Sequence, residues 1–355
     1  MPSVRAFSLN ALCISLLFSL LAVSSCRPGG RGASTASEQD IAEEVLHLYT
    51  YRHLAADDSL YQRYQRLTGT RVELFHAEPE VLLRQVRQGS SPADVLILPE
   101  VAMAIRAKEE GLLQTCALPR LEKYFKADLR DDYGYWTGLA IQYPIIAYRE
   151  DQVNPGRLES FFDLADPYWK GQVLAPSAAD PHLQSLVASF VAKNGEEATR
   201  QWAESVARNF ARQPQGNSLD QLKALGAGLG KLAIANAGDL GYLRYPQSHE
   251  ELKLGENIRH VLPFNQGFNH INVSCAVVPK HGDARKAARF IEFLTSGIVQ
   301  EIYPAAAHEN PVNVMGLMPQ FVVEEVGNVQ EDPLSLNLLA HYNRQAVAIL
   351  KEAGW

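Results

Sequence analysis

Three short segments of this chain gather side chains able to bind or polarise a ligand. Tyr49, Tyr51, Arg52 and His53 stand where the apolar run EVLHLYTY ends, so two phenols, a guanidinium and an imidazole share one loop. Pro99 and Glu100 close a second apolar run, ADVLIL. The third segment, Asp180-Pro181-His182, opens a helix: Asp can accept from the free first-turn N–H groups and Pro suits the first helical position. His182 therefore sits beside donors that could meet an anion as readily as its own ring could meet a metal. Gln142 and Asn269 add neutral polar groups that a small organic or phosphorylated solute could use together with Arg52.

Other apparent motifs fall away. GAGLGK, from Gly226 to Lys231, has Leu232 where a phosphate loop needs Ser or Thr, and it precedes a strand instead of following one. His249, His260, His281, His308 and His341 lack ligand spacing. No nucleophile elbow, zinc-protease signature or cysteine-pair motif is present, which argues against an enzyme.

The elements that must position these groups alternate. Glu44 to Tyr51 is a strand, Asp57 and Asp58 offer an N-cap, and SLYQRYQRLTG is a helix closed by Gly69. RVELFH, PEVLLRQVRQG, ADVLIL and EVAMAIRAKEEG continue the order strand, helix, strand, helix. This βαβαβα order predicts a parallel sheet covered on both faces, with ligand sites outside the carboxyl ends of its strands, where Tyr51, Arg52 and Glu100 fall. After Trp136, GLAIQY and PIIAYRE carry the chain to a second lobe, where DLADPYWKG reads as a helix and turn and QVLAP as a strand. HLQSLVASFVAKNG, EEATRQWAESVARNFA and SLDQLKALGAG read as helices, KLAIANA as a strand, and Tyr242 lies in a short helix. The chain returns through RHVLPFNQGFNHINVSCAVVPK and ends in the helices GDARKAARFIEFLTSG and LSLNLLAHYNRQAVAILKEAGW. Lobe 1 is read as 44–142 plus 271–325 and lobe 2 as 143–270 plus 326–355, two α/β bodies hinged by crossing strands.

The N-terminus reads as an export signal. Arg5 precedes ALCISLLFSLLAV, too short and too poorly flanked for a membrane span, and Val23-Ser24-Ser25-Cys26 resembles a bacterial lipobox. Cleavage before Cys26 with diacylglycerol on its sulfur would anchor the protein to a membrane, whereas an ordinary signal peptide would release it. Residues 1–25 are read as the leader and 26–43, rich in Gly, Ser, Arg and Ala, as a flexible tether. Lys plus Arg is 33 against 40 for Asp plus Glu, a net charge of −7 without a basic cluster, which argues against nucleic acid as a partner. Cys116 and Cys275 remain in the body, able to bridge after export or to serve as small buried residues.

Longer runs carry a resemblance. LYTYRH, Ser91 to Leu96 (SPADVL), Asp166 to Gly171 (DPYWKG), Gln184 to Ser189 (QSLVAS) and Pro214 to Asn217 (PQGN) are similar to the periplasmic ferric-iron-binding proteins. His270-x-Asn272-Val273-Ser274 and the closing Ala353-Gly354-Trp355 extend the likeness over nearly all of the mature chain. The resemblance implies a type II periplasmic-binding-protein fold and a monomeric receptor delivering iron to an ABC permease and its ATPase. It also implies a site. Ferric iron prefers oxygen anions such as phenolate, and the family places two adjacent tyrosines after an Ala-Asn-x motif. Here Ala235-Asn236-Ala237 is followed by Gly238 and Asp239. A third family tyrosine falls on His182, the anion-binding segment falls on Ile141 to Pro144 without an arginine, and a His-Tyr pair becomes His53-Leu54. Tyr148 alone matches its counterpart.

The expected metal set is therefore His53, Tyr148, His182 and Asp239, with Glu100 as an added candidate and Fe²⁺ or Zn²⁺ suited better than bare Fe³⁺. Each residue also has a structural role open to it: His53 in its loop, Tyr148 packing at the hinge, and Asp239 capping a helix. Three functions follow: iron capture, capture of a small anion on the same architecture, and a sensory module that reports closure.

Overall fold

The computed structural model describes residues 44–355 apart from positions 90, 119–120, 122–124, 126, 246–247 and 314. The expected leader at 1–25, the expected lipid attachment at Cys26 and the expected tether through 43 lie outside the described residues.

In β1 (Glu44–Thr50) Leu46, Leu48 and Thr50 are buried in alternation with half-buried Val45, His47 and Tyr49, the period of a strand. Helix α1 (Ala55–Thr68) begins earlier than its acidic pair suggested. Leu54 is the N-cap residue, and Asp57, three residues into the helix, reaches back to the Leu54 N–H at 2.9 Å. Gly69 ends α1 in the left-handed region, φ 74°, as expected. Then come β2 (Thr70–His76), α2 (Pro79–Arg87), β3 (Val95–Leu98) and α3 (Val101–Glu109). After β4 (Leu113–Gln114) and β5 (Trp136–Gln142), Tyr143 alone separates β5 from β6 (Pro144–Arg149), which joins a different sheet.

The segment DLADPYWKG forms two 3₁₀ turns, Phe161–Ala165 and Pro167–Trp169, instead of the expected helix and turn. Pro167 has no N–H to continue a ladder, and the Ser160 and Asp166 side chains each take an amide of the turn that follows. The second lobe continues with β7 (Val173–Leu174), α4 (Pro181–Asn194), α5 (Glu196–Ala207), α6 (Ser218–Gly226), β8 (Leu232–Asn236), α7 (Ala237–Arg244), α8 (His249–Gly255) and β9 (Ile258–Val261). The chain then returns through β10 (Asn272–Pro279), α9 (Ala284–Leu294), α10 (Gly297–Gln300) and β11 (Asn310–Pro311), and ends in α11 (Leu336–Glu352).

Among the described residues the first sheet has seven strands in the order β11-β5-β10-β3-β1-β2, with β4 beside β10; the second runs β7-β8-β6-β9. β1 pairs in parallel with β2 and β3, but β10 enters antiparallel between β3 and β5, so the first sheet is mixed. Insertion of the returning strand brings residues from both ends of the sequence to one edge of the cleft. α11 packs on α4 and α5 and also on α3, so it touches both lobes.

The second lobe closes over an aromatic cluster. Trp202 packs edge-on to Phe190 at 4.9 Å and beside Trp355 at 5.3 Å, and its indole N–H donates to the Phe161 carbonyl at 2.8 Å. The first lobe buries Leu46, Leu48, Tyr64 and Phe290. Cys116 and Cys275 are free and buried, so the bridge left open by the sequence is not formed. No helix among the described residues is long and apolar enough to cross a membrane.

Candidate ligand cleft

The polar groups converge where the two sheets meet. Arg52, just past β1 and 8% exposed, donates through Nη2 to Asp57 Oδ1 at 3.2 Å and to the Tyr303 carbonyl at 3.0 Å. Its guanidinium lies 4.0 Å over the Tyr303 ring, and Nη1 donates to Glu309 Oε2 at 3.2 Å. The other Glu309 oxygen accepts from Gln142 Nε2 at 3.1 Å, and Gln142 Oε1 accepts the Gly238 N–H at 3.0 Å, in the first turn of α7. A continuous string of charge-assisted and neutral hydrogen bonds thus joins α1 of the first lobe to α7 of the second. Glycine is required at 238 by contact: a Cβ there would lie 2.6 Å from the Ala307 carbonyl oxygen and 2.7 Å from the Gln142 amide nitrogen.

The start of α4 supplies a second crossing. Asp180 caps the helix as predicted, accepting the Leu183 N–H at 2.8 Å. His182 Nε2 lies 3.1 Å from the Pro99 carbonyl, and Nδ1 lies 3.0 Å from the amide nitrogen of Asn236. These partners assign the proton to Nε2 and the lone pair to Nδ1. Asn236 also reaches Asp239 Oδ2 at 3.5 Å. One turn along α4, the Ser185 hydroxyl donates to Glu100 Oε1 at 2.6 Å and lies 3.0 Å from His270 Nε2. Because serine gives its proton directly to the carboxylate, the three do not form the serine–base–carboxylate order of an activated nucleophile. The second Glu100 oxygen accepts the Ala102 N–H at 2.8 Å, making Glu100 the N-cap of α3.

Burial dominates the electrostatics. It pushes the carboxyls of Glu100, Asp180, Asp239 and Glu309 above the ordinary carboxylate range, opposed most strongly by the Ser185 hydroxyl at Glu100 and by the Arg52 cation at Glu309. Burial pushes His270 down to about 4. The Tyr51 phenol is also raised, by burial and then by Glu309.

The sequence candidates divide. His182, Asp239, Glu100, Gln142, Arg52 and Tyr51 come together. His53 does not join them: it is exposed and bonds Asp58 Oδ1 at 2.7 Å, a local pair at the head of α1. Tyr148 sits opposite Leu232 and Arg259, at the far end of β6 from Pro144, the residue that pairs with Asn236. Four residues of strand separate it from the cluster's edge, roughly 13 Å. Asn269 donates to the Pro263 carbonyl at 3.2 Å and pairs with the segment around Glu331, serving the return crossing. Among the described residues no three His, Cys, Asp or Glu side chains converge as a ready metal shell. Glu309, Ser185, Asn236 and His270 also join the cluster, beyond the residues expected from the sequence. The motif His270-x-Asn272 was one signal for the last of these.

An α/β body of two lobes with its polar groups at their junction is the design of a solute receptor, and the chain belongs to the bacterial extracellular solute-binding protein family, whose model matches residues 90–326. Within it the chain groups with the periplasmic ferric-iron-binding proteins that its motifs resemble, and it is a binding protein and not an enzyme. It is 35% identical over 339 residues to Iron uptake protein A1 of Synechocystis sp., covering 94% of this chain and 93% of that one. Its fold is similar to that of a ferric binding protein from Campylobacter jejuni, with TM-score 0.83, 28% identity, and 87% of this chain and 99% of that one covered. A Trichodesmium protein solved in complex with iron and citrate ligands gives TM-score 0.80 at 29% identity, covering 88% and 99%.

Proposed function

We propose that this protein is the extracytoplasmic receptor of an ABC importer, anchored by lipid on Cys26, that captures iron as a small chelate and hands it to a membrane permease driven by its ATPase. The observation that carries this reading is the convergence of His182 and Asp239 at the lobe junction, where the resemblance places the family's metal-binding tyrosines. One imidazole and one carboxylate fill a minority of an iron coordination sphere, so an accompanying chelator must supply the rest. A carboxylate chelator would find Arg52 and the Gly238 N–H within the same cluster once their present partners give way. The relative solved with iron and citrate supports this form of cargo.

A second reading rests on the same donors: Arg52 and the α7 amide could hold a small organic anion without metal. Thermal-shift titration of the metal-stripped protein separates the two, because a ligand selective for the folded state raises its stability. Ferric citrate or Fe²⁺ should raise the melting temperature. A shift with metal-free organic anions and none with any iron form would replace the first reading by the second.

A further inference from the structure

We propose that Glu309 and Gln142 form an autoinhibitory latch that holds the two lobes together against solute entry. The inference rests on the receptor reading of the cleft, though not on which solute it takes.

Both carboxylate oxygens of Glu309 and both polar atoms of the Gln142 amide are engaged with protein partners, and one of these, the Gly238 N–H, belongs to the second lobe. Arg52, held from behind by Asp57 and the Tyr303 carbonyl, fixes Glu309 in place, and Gln142 passes the connection to the first turn of α7. Packing seals what the hydrogen bonds align. Gly238 and, one turn later, Gly241 seat α7 on the turn Ala305–Ala307 and on His308, so closely that a Cβ on Gly241 would lie 2.6 Å from His308 Cβ. His308 takes the left-handed φ of 55° and stacks on Tyr245 at 5.4 Å, and the Tyr245 hydroxyl donates to Glu324 at 3.2 Å. A solute that uses Arg52 or the Gly238 N–H must part these contacts. The groups best suited to hold it, Arg52 and the Gly238 amide, are the ones the latch occupies.

A latch of this kind lowers apparent affinity by the fraction of molecules that are open, so weakening it speeds and tightens capture. A residue that ligates the cargo would give the opposite result. The test uses the mature full-length protein and two variants. Glu309→Ala removes the shared carboxylate, while Gln142→Ala leaves the Arg52–Glu309–Asp57 group intact and so guards against loss of folding. Small-angle X-ray scattering without added solute should give a compact curve for the wild type and a larger radius of gyration for both variants. Stopped-flow tryptophan fluorescence with ferric citrate should show association faster by up to about tenfold in Gln142→Ala. Wild-type scattering from open lobes, unchanged scattering in both variants, or slower association in Gln142→Ala overturns the latch. If ferric citrate binds none of the three, the cargo reading fails and scattering alone decides the latch.

Discussion

The aromatic core of the second lobe and the polar seam between the lobes are equally buried and held by different physics. In the core, Phe190, Trp202 and Trp355 touch many neighbours, and each contributes through area and dispersion, so the loss of one atom is shared. In the seam, Arg52, Glu309, Gln142 and Gly238 form a string in which each member satisfies the next. Removing a link leaves a desolvated partner behind. Changes in the core should therefore lower stability and spare binding, whereas changes in the seam should alter both.

The largest break is expected from Arg52→Met. It strands Asp57, 0% exposed, and Glu309, 4% exposed, without their cation, and should cost about 3–5 kcal/mol in urea unfolding. A loss below about 1 kcal/mol would show that these carboxylates find other partners. Gly238→Ala comes next. Its Cβ would press on the Ala307 carbonyl and the Gln142 amide, so about 1–3 kcal/mol should be lost, together with a change in solute association. Trp202→Phe keeps most of the core volume but removes the donor to the Phe161 carbonyl. It should cost about 1–2 kcal/mol and leave solute binding unchanged. Altered binding in this variant would erase the distinction between the two regions.

The smallest effect is a slope with pH. Burial holds His270 at about 4 in the folded protein, so from the ordinary value near 6.5 downward the unfolded chain takes up the proton first. That contribution to stability is complete above the unfolded value and is lost as pH falls toward the folded one. The raised carboxyls of Glu100 and Glu309 act in the other direction, because the folded state then binds the extra protons. Comparison of the wild type with His270→Gln at pH 7 and pH 5 isolates the histidine. The variant should lose less stability on acidification.

Local rules made much of the fold legible. The alternation in EVLHLYT, the αL glycine at 69 and the Asp180-Pro181 helix start are each decided within a few residues, and each appears where the pattern puts it. Asp57 misled because an acid in the first turn can serve from inside the helix as well as from the cap. Tyr148 misled for a different reason. A matching residue type within a strand does not reveal which end of that strand faces the cleft, and pairing of Pro144 with Asn236 puts the cluster at the other end. Glu309 had no local signal at all. It lies in AAAHENP, without periodicity, and reaches Arg52 across 257 positions because β10 and β11 return into the first sheet. Partners brought together by a returning chain cannot be read from spacing.

On the proposed reading, His182 and Asp239 hold an iron chelate. Isothermal titration of ferric citrate into the metal-stripped wild type and the double variant His182→Ala/Asp239→Ala tests it most directly. Saturable one-to-one binding by the wild type, lost in a double variant that still unfolds cooperatively, is the expected result. Equal binding by both proteins would contradict it.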